Sequence, residues 1–252
     1  MTPSDFTPAD VQQFDPLVED YEATVSKSVR LFGEPAEYFA RQKLARIQQV
    51  CGPIGASHIL DVGCGVGLLT ALLGQAFPAC RVTGLECSVR SVERAVSRCT
   101  GLANVSLEAY DGTRLPEHLK GVDMAVLANV LHHVKPAVRR AFFREVVQPA
   151  LAPGARVVVF EHNPYNFLTQ FVVRSSPIDR DAHLVTRRMV SRLLTDAGFR
   201  ILQRDYTVFF PRALRWARSL EGRMGWLPLG AQYMVVGQWP GTVPAVDRGS
   251  VG

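Results

Sequence analysis

The run ILDVGCGVGLLT at residues 59–70 constrains this chain more than any other stretch. A strand-like apolar segment carries Asp61, three glycines alternate at Gly63, Gly65 and Gly67, and an apolar helical pattern begins at once. Glycine turns sharply at positive φ and lets a ligand approach the backbone without interference from a Cβ. The helix that follows offers free N–H groups and the positive end of its dipole, a setting that suits an anion. A buried strand, a glycine turn and a helix in direct succession open a βαβ unit.

The rest of the chain continues that alternation. Short β runs fall at 58–63, 81–86, 104–109, 122–129 and 155–161, with helical patterns at 66–76, 88–100 and 136–150 between them. Such spacing predicts an α/β fold, a doubly wound and mostly parallel sheet with helices on both faces. Two helices precede it, about Asp15 to Leu31 and about Pro35 to Val50, so residues 1–52 read as an N-terminal helical cap and 53–238 as the core. After Glu161 an irregular insert is expected over 162–186, leading into a helix that ends at Asp196-Ala197-Gly198. Strands at 201–210 and 231–238 flank a second insert, 211–230. Its pattern predicts a short amphipathic helix with Arg212, Arg215 and Arg218 on one side. Residues 239–252 lack periodicity and read as a disordered tail.

Composition narrows the class. An apolar fraction of 47% with 20% charged residues fits a globular protein, and the N-terminus has neither the basic nor the apolar region of a secretion signal. No apolar run is long enough for a membrane span, no metal-ligand spacing is present, and the five cysteines form no CxxC pair. Reduced, buried thiols and a cytoplasmic location follow. The net charge of +5 comes mainly from arginine, eleven Arg against five acids between Phe171 and Gly230. Such a surplus suits an anionic substrate, nucleic acid or an acidic membrane surface, but the arginines are scattered, as on a solvated face.

Glu86 closes the second strand nineteen residues after Gly67, where a carboxylate can accept from a ribose diol. The dinucleotide fingerprint GxGxxG needs glycine at 68, and the residue there is Leu68. The DxGxGxG form found instead resembles motif I of the class I S-adenosylmethionine-dependent methyltransferases. The resemblance runs from about residue 57 to 161. It implies S-adenosylmethionine as cofactor, a seven-stranded sheet in the order 3-2-1-4-5-7-6, and an antiparallel last strand. It also implies that Asp61, Gly63, Gly65 and Gly67 receive the methionine end, with Glu86 and Cys87 at the ribose. Asp111 and Gly112 of LEAYDGTRLP would meet the adenine edge, and Ala128 and Asn129 would line the cofactor after the fourth strand. The segments FDPLVEDYE, EHNPYN and FFPR…GWLPLGAQY are similar to a bacterial subgroup acting on small molecules. Val18 and Glu22 depart from that subgroup's first pattern.

Methyl transfer needs an in-line nucleophile, exclusion of water and, for many acceptors, a base. His162, His133 and Tyr165 are the catalytic candidates, with His132 as neighbour; the alternative for His162 and Asn163 is to hold the EHNPYN loop through backbone bonds. Asn163-Pro164-Tyr165 resembles the NPPY motif of amine-directed nucleic-acid methyltransferases but follows the fifth strand instead of the fourth, which speaks against nucleic acid. The aromatics Phe167, Phe171, Phe209, Phe210, Trp216 and Trp226 form either a small core under the inserts or an acceptor pocket. The expected partner is a small, partly apolar acceptor. A nucleic-acid methyltransferase and a cofactor-binding protein that does not methylate stay open as alternatives, and the sequence leaves the oligomeric state open.

Overall fold

The structure, a computed structural model, describes residues 33–51, 57–176 and 182–241. The helix expected at Asp15 to Leu31 lies outside them.

Seven strands form one sheet: β1 (His58–Val62), β2 (Arg81–Glu86), β3 (Val105–Ala109), β4 (Val122–Ala128), β5 (Leu151–His162), β6 (Arg200–Thr207) and β7 (Gln232–Gln238). Their order is β3-β2-β1-β4-β5-β7-β6, and β7 runs antiparallel to both neighbours. This is the order and polarity the resemblance implies. The direction of winding reverses between β1 and β4, so the crevice at their carboxyl ends is where an open α/β sheet takes a ligand.

Period-two alternation sorts the side chains into two cores. Ile59, Met124, Val126, Val158, Phe160, Met234 and Val236 face one side. Leu60, Ala125, Leu127, Val157, Val159, Tyr233 and Val235 face the other. The first face is covered by Ile47 and Val50 of α1 (Ala36–Cys51) and by Leu69 and Leu73 of α2 (Leu68–Ala76). On the β2–β3 side stands α3 (Val89–Arg98), whose Ser88 cap accepts from Ser91 N. The second face takes α4, residues 139–150, which opens as an α-turn and runs as a π-helix over Phe142–Val147 before a 3-10 turn. Pro149, which has no N–H to give, falls in that last turn.

Two inserts differ from expectation. Within 162–186 the chain forms a helix, α5 (Phe167–Ser175), because Asn166 caps it by accepting from Thr169 N and Val172 and Val173 are buried. Over Arg212–Arg223 the helix is of the 3-10 type, with a kink at Leu214 that separates Arg212 from Arg215 and Arg218. The remaining helix, α6 (Arg187–Asp196), ends as expected. Beyond β7, Trp239 is packed and not loose: its ring lies 5.5 Å from that of Phe199, and its N–H donates to Ala155 O at 2.7 Å. Residues 242–252 lie outside the described chain.

Candidate active site

All three loop glycines are left-handed, Gly63 at φ 70°, Gly65 at 54° and Gly67 at 76°. A Cβ on Gly63 would come within 2.7 Å of Val130, and one on Gly67 within 2.8 Å of Ala95, so the loop is pressed between the β4 exit and α3. The N–H groups of Gly63 and Cys64 both donate to Leu85 O, at 2.7 and 2.9 Å. The loop is thereby fixed to the end of β2.

Glu86 completes that fixation. Its Oε2 accepts from Gly65 N at 2.9 Å, and its Oε1 accepts from Cys87 N at 2.8 Å and Ser88 N at 3.0 Å. Beside it, burial and the Glu86 charge push the Cys87 thiol up to about 12. Asp111 sits in a turn of its own making, with Oδ1 accepting from Thr113 N at 2.7 Å and Arg114 N at 3.0 Å. Partial burial opposes its ionisation, but those bonds outweigh it and hold the carboxyl below the ordinary range. Gly112 follows at φ 79°.

Asp61 is buried and accepts from Thr70 Oγ1 of α2 at 2.7 Å; burial pushes its carboxyl up to about 6. On α1, Lys43 falls in the buried stripe Phe39, Lys43, Ile47 and Val50. Burial brings its ammonium down to about 8, although Glu161 and Asp61 both attract it. Sequence reasoning passed over Lys43; the signal was a charge placed in the apolar spacing of an amphipathic helix.

At the end of β4, Asn129 takes φ 61° and donates its N–H to Phe160 O at 2.9 Å. Its side-chain Oδ1 is buried and has no hydrogen-bond partner. A buried, unpaired amide oxygen costs free energy unless a ligand supplies the donor. A non-glycine residue in this backbone region is also uncommon, and such strain concentrates at functional sites.

The buried carboxylate of Glu161 knits the β4 and β5 exits together. Oε1 accepts from Leu131 N at 2.7 Å and His132 N at 3.3 Å, while Oε2 lies 2.6 Å from His132 Nδ1. Burial alone would raise this carboxyl, but His132, His162 and His133 together hold it below the ordinary range. The His132 ring, 1% exposed, lies 4.1 Å from His133 and 5.3 Å from His162, centroid to centroid. Glu161 was legible only as part of a pattern; its role depends on two strand ends meeting.

The EHNPYN loop divides in two. His162 joins the histidine cluster and is partly exposed. Asn163, fully buried, donates Nδ2 to Pro228 O and Gly230 O at 3.0 and 2.7 Å, and its Oδ1 accepts from Tyr165 N at 3.1 Å. Its side chain is thus occupied in holding the loop. Tyr165 is 66% exposed. Among the insert aromatics, Phe167, Phe171, Trp216 and Trp226 are exposed, so they do not form the small core. Phe209 alone of the six packs against a core.

Comparison with known proteins agrees with this fold. Residues 59–154 match the model of a methyltransferase domain. An O-methyltransferase, cnsE, from Penicillium expansum is 29% identical over 178 residues, which is 67% of this chain and 61% of that protein. The chain therefore spans less than two thirds of that relative. Among solved structures, magnesium protoporphyrin IX methyltransferase from Synechocystis PCC 6803, with bound SAH, aligns over 91% of this chain and 97% of its own. The TM-score is 0.63 at 17% identity. An S-adenosylmethionine dependent methyltransferase from Mesorhizobium loti aligns over 78% and 97%, with a TM-score of 0.59 at 20% identity. These likenesses are to the fold.

Proposed function

We propose that the chain, whose residues 59–154 match the model of a methyltransferase domain, is a class I S-adenosylmethionine-dependent enzyme that transfers a methyl group to oxygen or nitrogen of a small, partly apolar molecule in the cytoplasm. The observation that carries this reading is the buried, unpartnered Oδ1 of Asn129, set at the switch point across from three left-handed glycines. An ammonium such as that of the cofactor's methionine end would supply the missing donor, so the site fits the group. S-adenosylmethionine brings to it a methyl made electrophilic by a sulfonium.

The chain's own residues supply the rest. The glycine loop gives backbone approach, and the start of α2 favours the carboxylate. Glu86, at the end of β2, is the carboxylate for the ribose, and Asp111 offers Oδ2 to the adenine amino group. The proton released by an O–H or N–H acceptor goes to His162, which is reachable from outside, whereas His132 is buried. The carboxylate of Glu161 stabilises a positive charge in that histidine cluster. His133 is the second group able to take the proton.

Methyl-labelled cofactor incubated with the protein and fractionated host extract tests this. S-adenosylhomocysteine should form in step with a labelled small molecule, and His162→Ala should lower turnover at unchanged cofactor affinity. Cofactor binding without labelled product would favour a non-methylating protein, and label in nucleic acid would favour the other class.

A further inference from the structure

The segments that follow β5 and β6 carry large apolar side chains in water. Trp216 is 76% exposed and Trp226 73%, and Leu220, Leu229, Phe167 and Phe171 are exposed as well. A monomeric soluble protein seldom leaves such a group uncovered. Residues 228–230, between the 3-10 segment and β7, are tied to α5. Asn163 Nδ2 bonds Pro228 O and Gly230 O, and Asn166 Nδ2 donates to Leu229 O at 2.7 Å, which stitches residues 228–230 to the start of α5.

Charge accompanies the apolar surface. Arg212, Arg215 and Arg223 of the 3-10 segment are exposed, and none has an acidic partner among the described residues. Arg218 is otherwise engaged: it bonds Glu34 at 2.7 Å and stacks over the Tyr38 ring at 4.3 Å. The segment's single acid, Glu221, is buried and accepts from Phe209 N and Phe210 N at 3.1 and 3.0 Å. The face presented is therefore aromatic, aliphatic and cationic.

We propose that this face, the 3-10 segment with the start of α5, docks on an anionic lipid surface, and that the acceptor is a lipophilic molecule drawn from it. Tryptophan favours the headgroup region, and arginine is attracted to acidic lipids. Leu220 and Leu229 favour lipid over nucleic acid, since aliphatic side chains enter the acyl boundary but provide no stacking platform. Residues 228–230 of that surface bond Asn163, the neighbour of His162, which is the route we assign to a molecule leaving the lipid. Among the described residues no helix is long and apolar enough to cross a membrane, which makes the docking peripheral. This inference rests on the proposed transfer to a partly apolar acceptor.

The test is sedimentation of the full chain with vesicles of phosphatidylcholine alone and of phosphatidylcholine with phosphatidylglycerol, beside calorimetry with S-adenosylhomocysteine. Binding to the anionic vesicles should exceed binding to the neutral ones and fall with salt. A doxyl-labelled lipid should quench the tryptophan emission. Arg212→Glu with Arg215→Glu should lower anionic partition about tenfold or more, and Trp216→Ala with Trp226→Ala should lower partition to both, all at unchanged cofactor affinity. No vesicle binding by a protein that binds S-adenosylhomocysteine overturns the docking and leaves the transfer reading standing. So does vesicle binding that these variants leave intact, a patch-dependent dimer without lipid binding, or patch-dependent RNA binding. Failure to bind S-adenosylhomocysteine overturns the reading beneath it.

Discussion

Around the β1–β4 crevice the chain closes most polar groups on its own backbone, whereas past β5 it leaves tryptophan, phenylalanine and leucine in water. Glu86 accepts three backbone N–H groups and Glu161 accepts two, plus a histidine ring. The exposed side has anchors too, Asn163, Asn166 and Glu221, but they hold its loops from beneath and leave its large apolar side chains in water. On the proposed reading, a cofactor of fixed shape would meet a preorganised wall, and the variable acceptor would meet a surface built of side chains. The difference suits a division of labour in which one half recognises a constant ligand and the other determines what is methylated.

The largest effect should come from breaking the knot shared by both halves. Glu161→Ala would leave the N–H groups of Leu131 and His132, and the His132 ring, without their buried acceptor. Stability should fall by roughly 3–5 kcal/mol, the range for removing one partner of a buried charged pair. Urea unfolding measures it. A loss within error would show that the β4 and β5 exits are not held by this carboxylate.

Next comes the cofactor wall itself. Glu86→Ala should weaken S-adenosylhomocysteine binding by about 1.5–3 kcal/mol, the range for hydrogen bonds to a charged group. Part of that loss reflects a looser Gly65, whose N–H the carboxylate holds. Glu86→Gln separates the two contributions, since it keeps an acceptor without the charge.

The smallest effect is expected on the exposed side. Tyr165→Ala should alter stability by less than about 0.5 kcal/mol, as for other exposed surface positions. A larger loss would mean that the loop depends on the ring and not on Asn163.

These halves were also unequally legible. The glycine loop and the place of Glu86 at the end of β2 could be read because local spacing determines them: Asp61 through Gly67 and the acid nineteen residues on form a continuous pattern, and the strand order came only with the family resemblance that this pattern carries. Glu161 with His132, and Lys43 facing Asp61 and Glu161, could not, because each joins residues far apart in the chain. The helix α5 was missed for a different reason. Its Asn166 cap follows Pro164 and Tyr165, and proline biases such a stretch toward an extended or turn reading. For the insert aromatics, the sequence shows apolar side chains but not whether anything covers them.

The central claim is that the loop Gly63 to Gly67 is the cofactor seat. Gly65 stands at φ 54°, a conformation that a β-branched residue rarely adopts, and valine there would also project into the space the backbone leaves for a ligand. Titration calorimetry of S-adenosylhomocysteine into wild type and Gly65→Val, with circular dichroism as a check on folding, tests it most directly. The account predicts a folded variant with binding lost. Unchanged affinity in a folded Gly65→Val protein would contradict it.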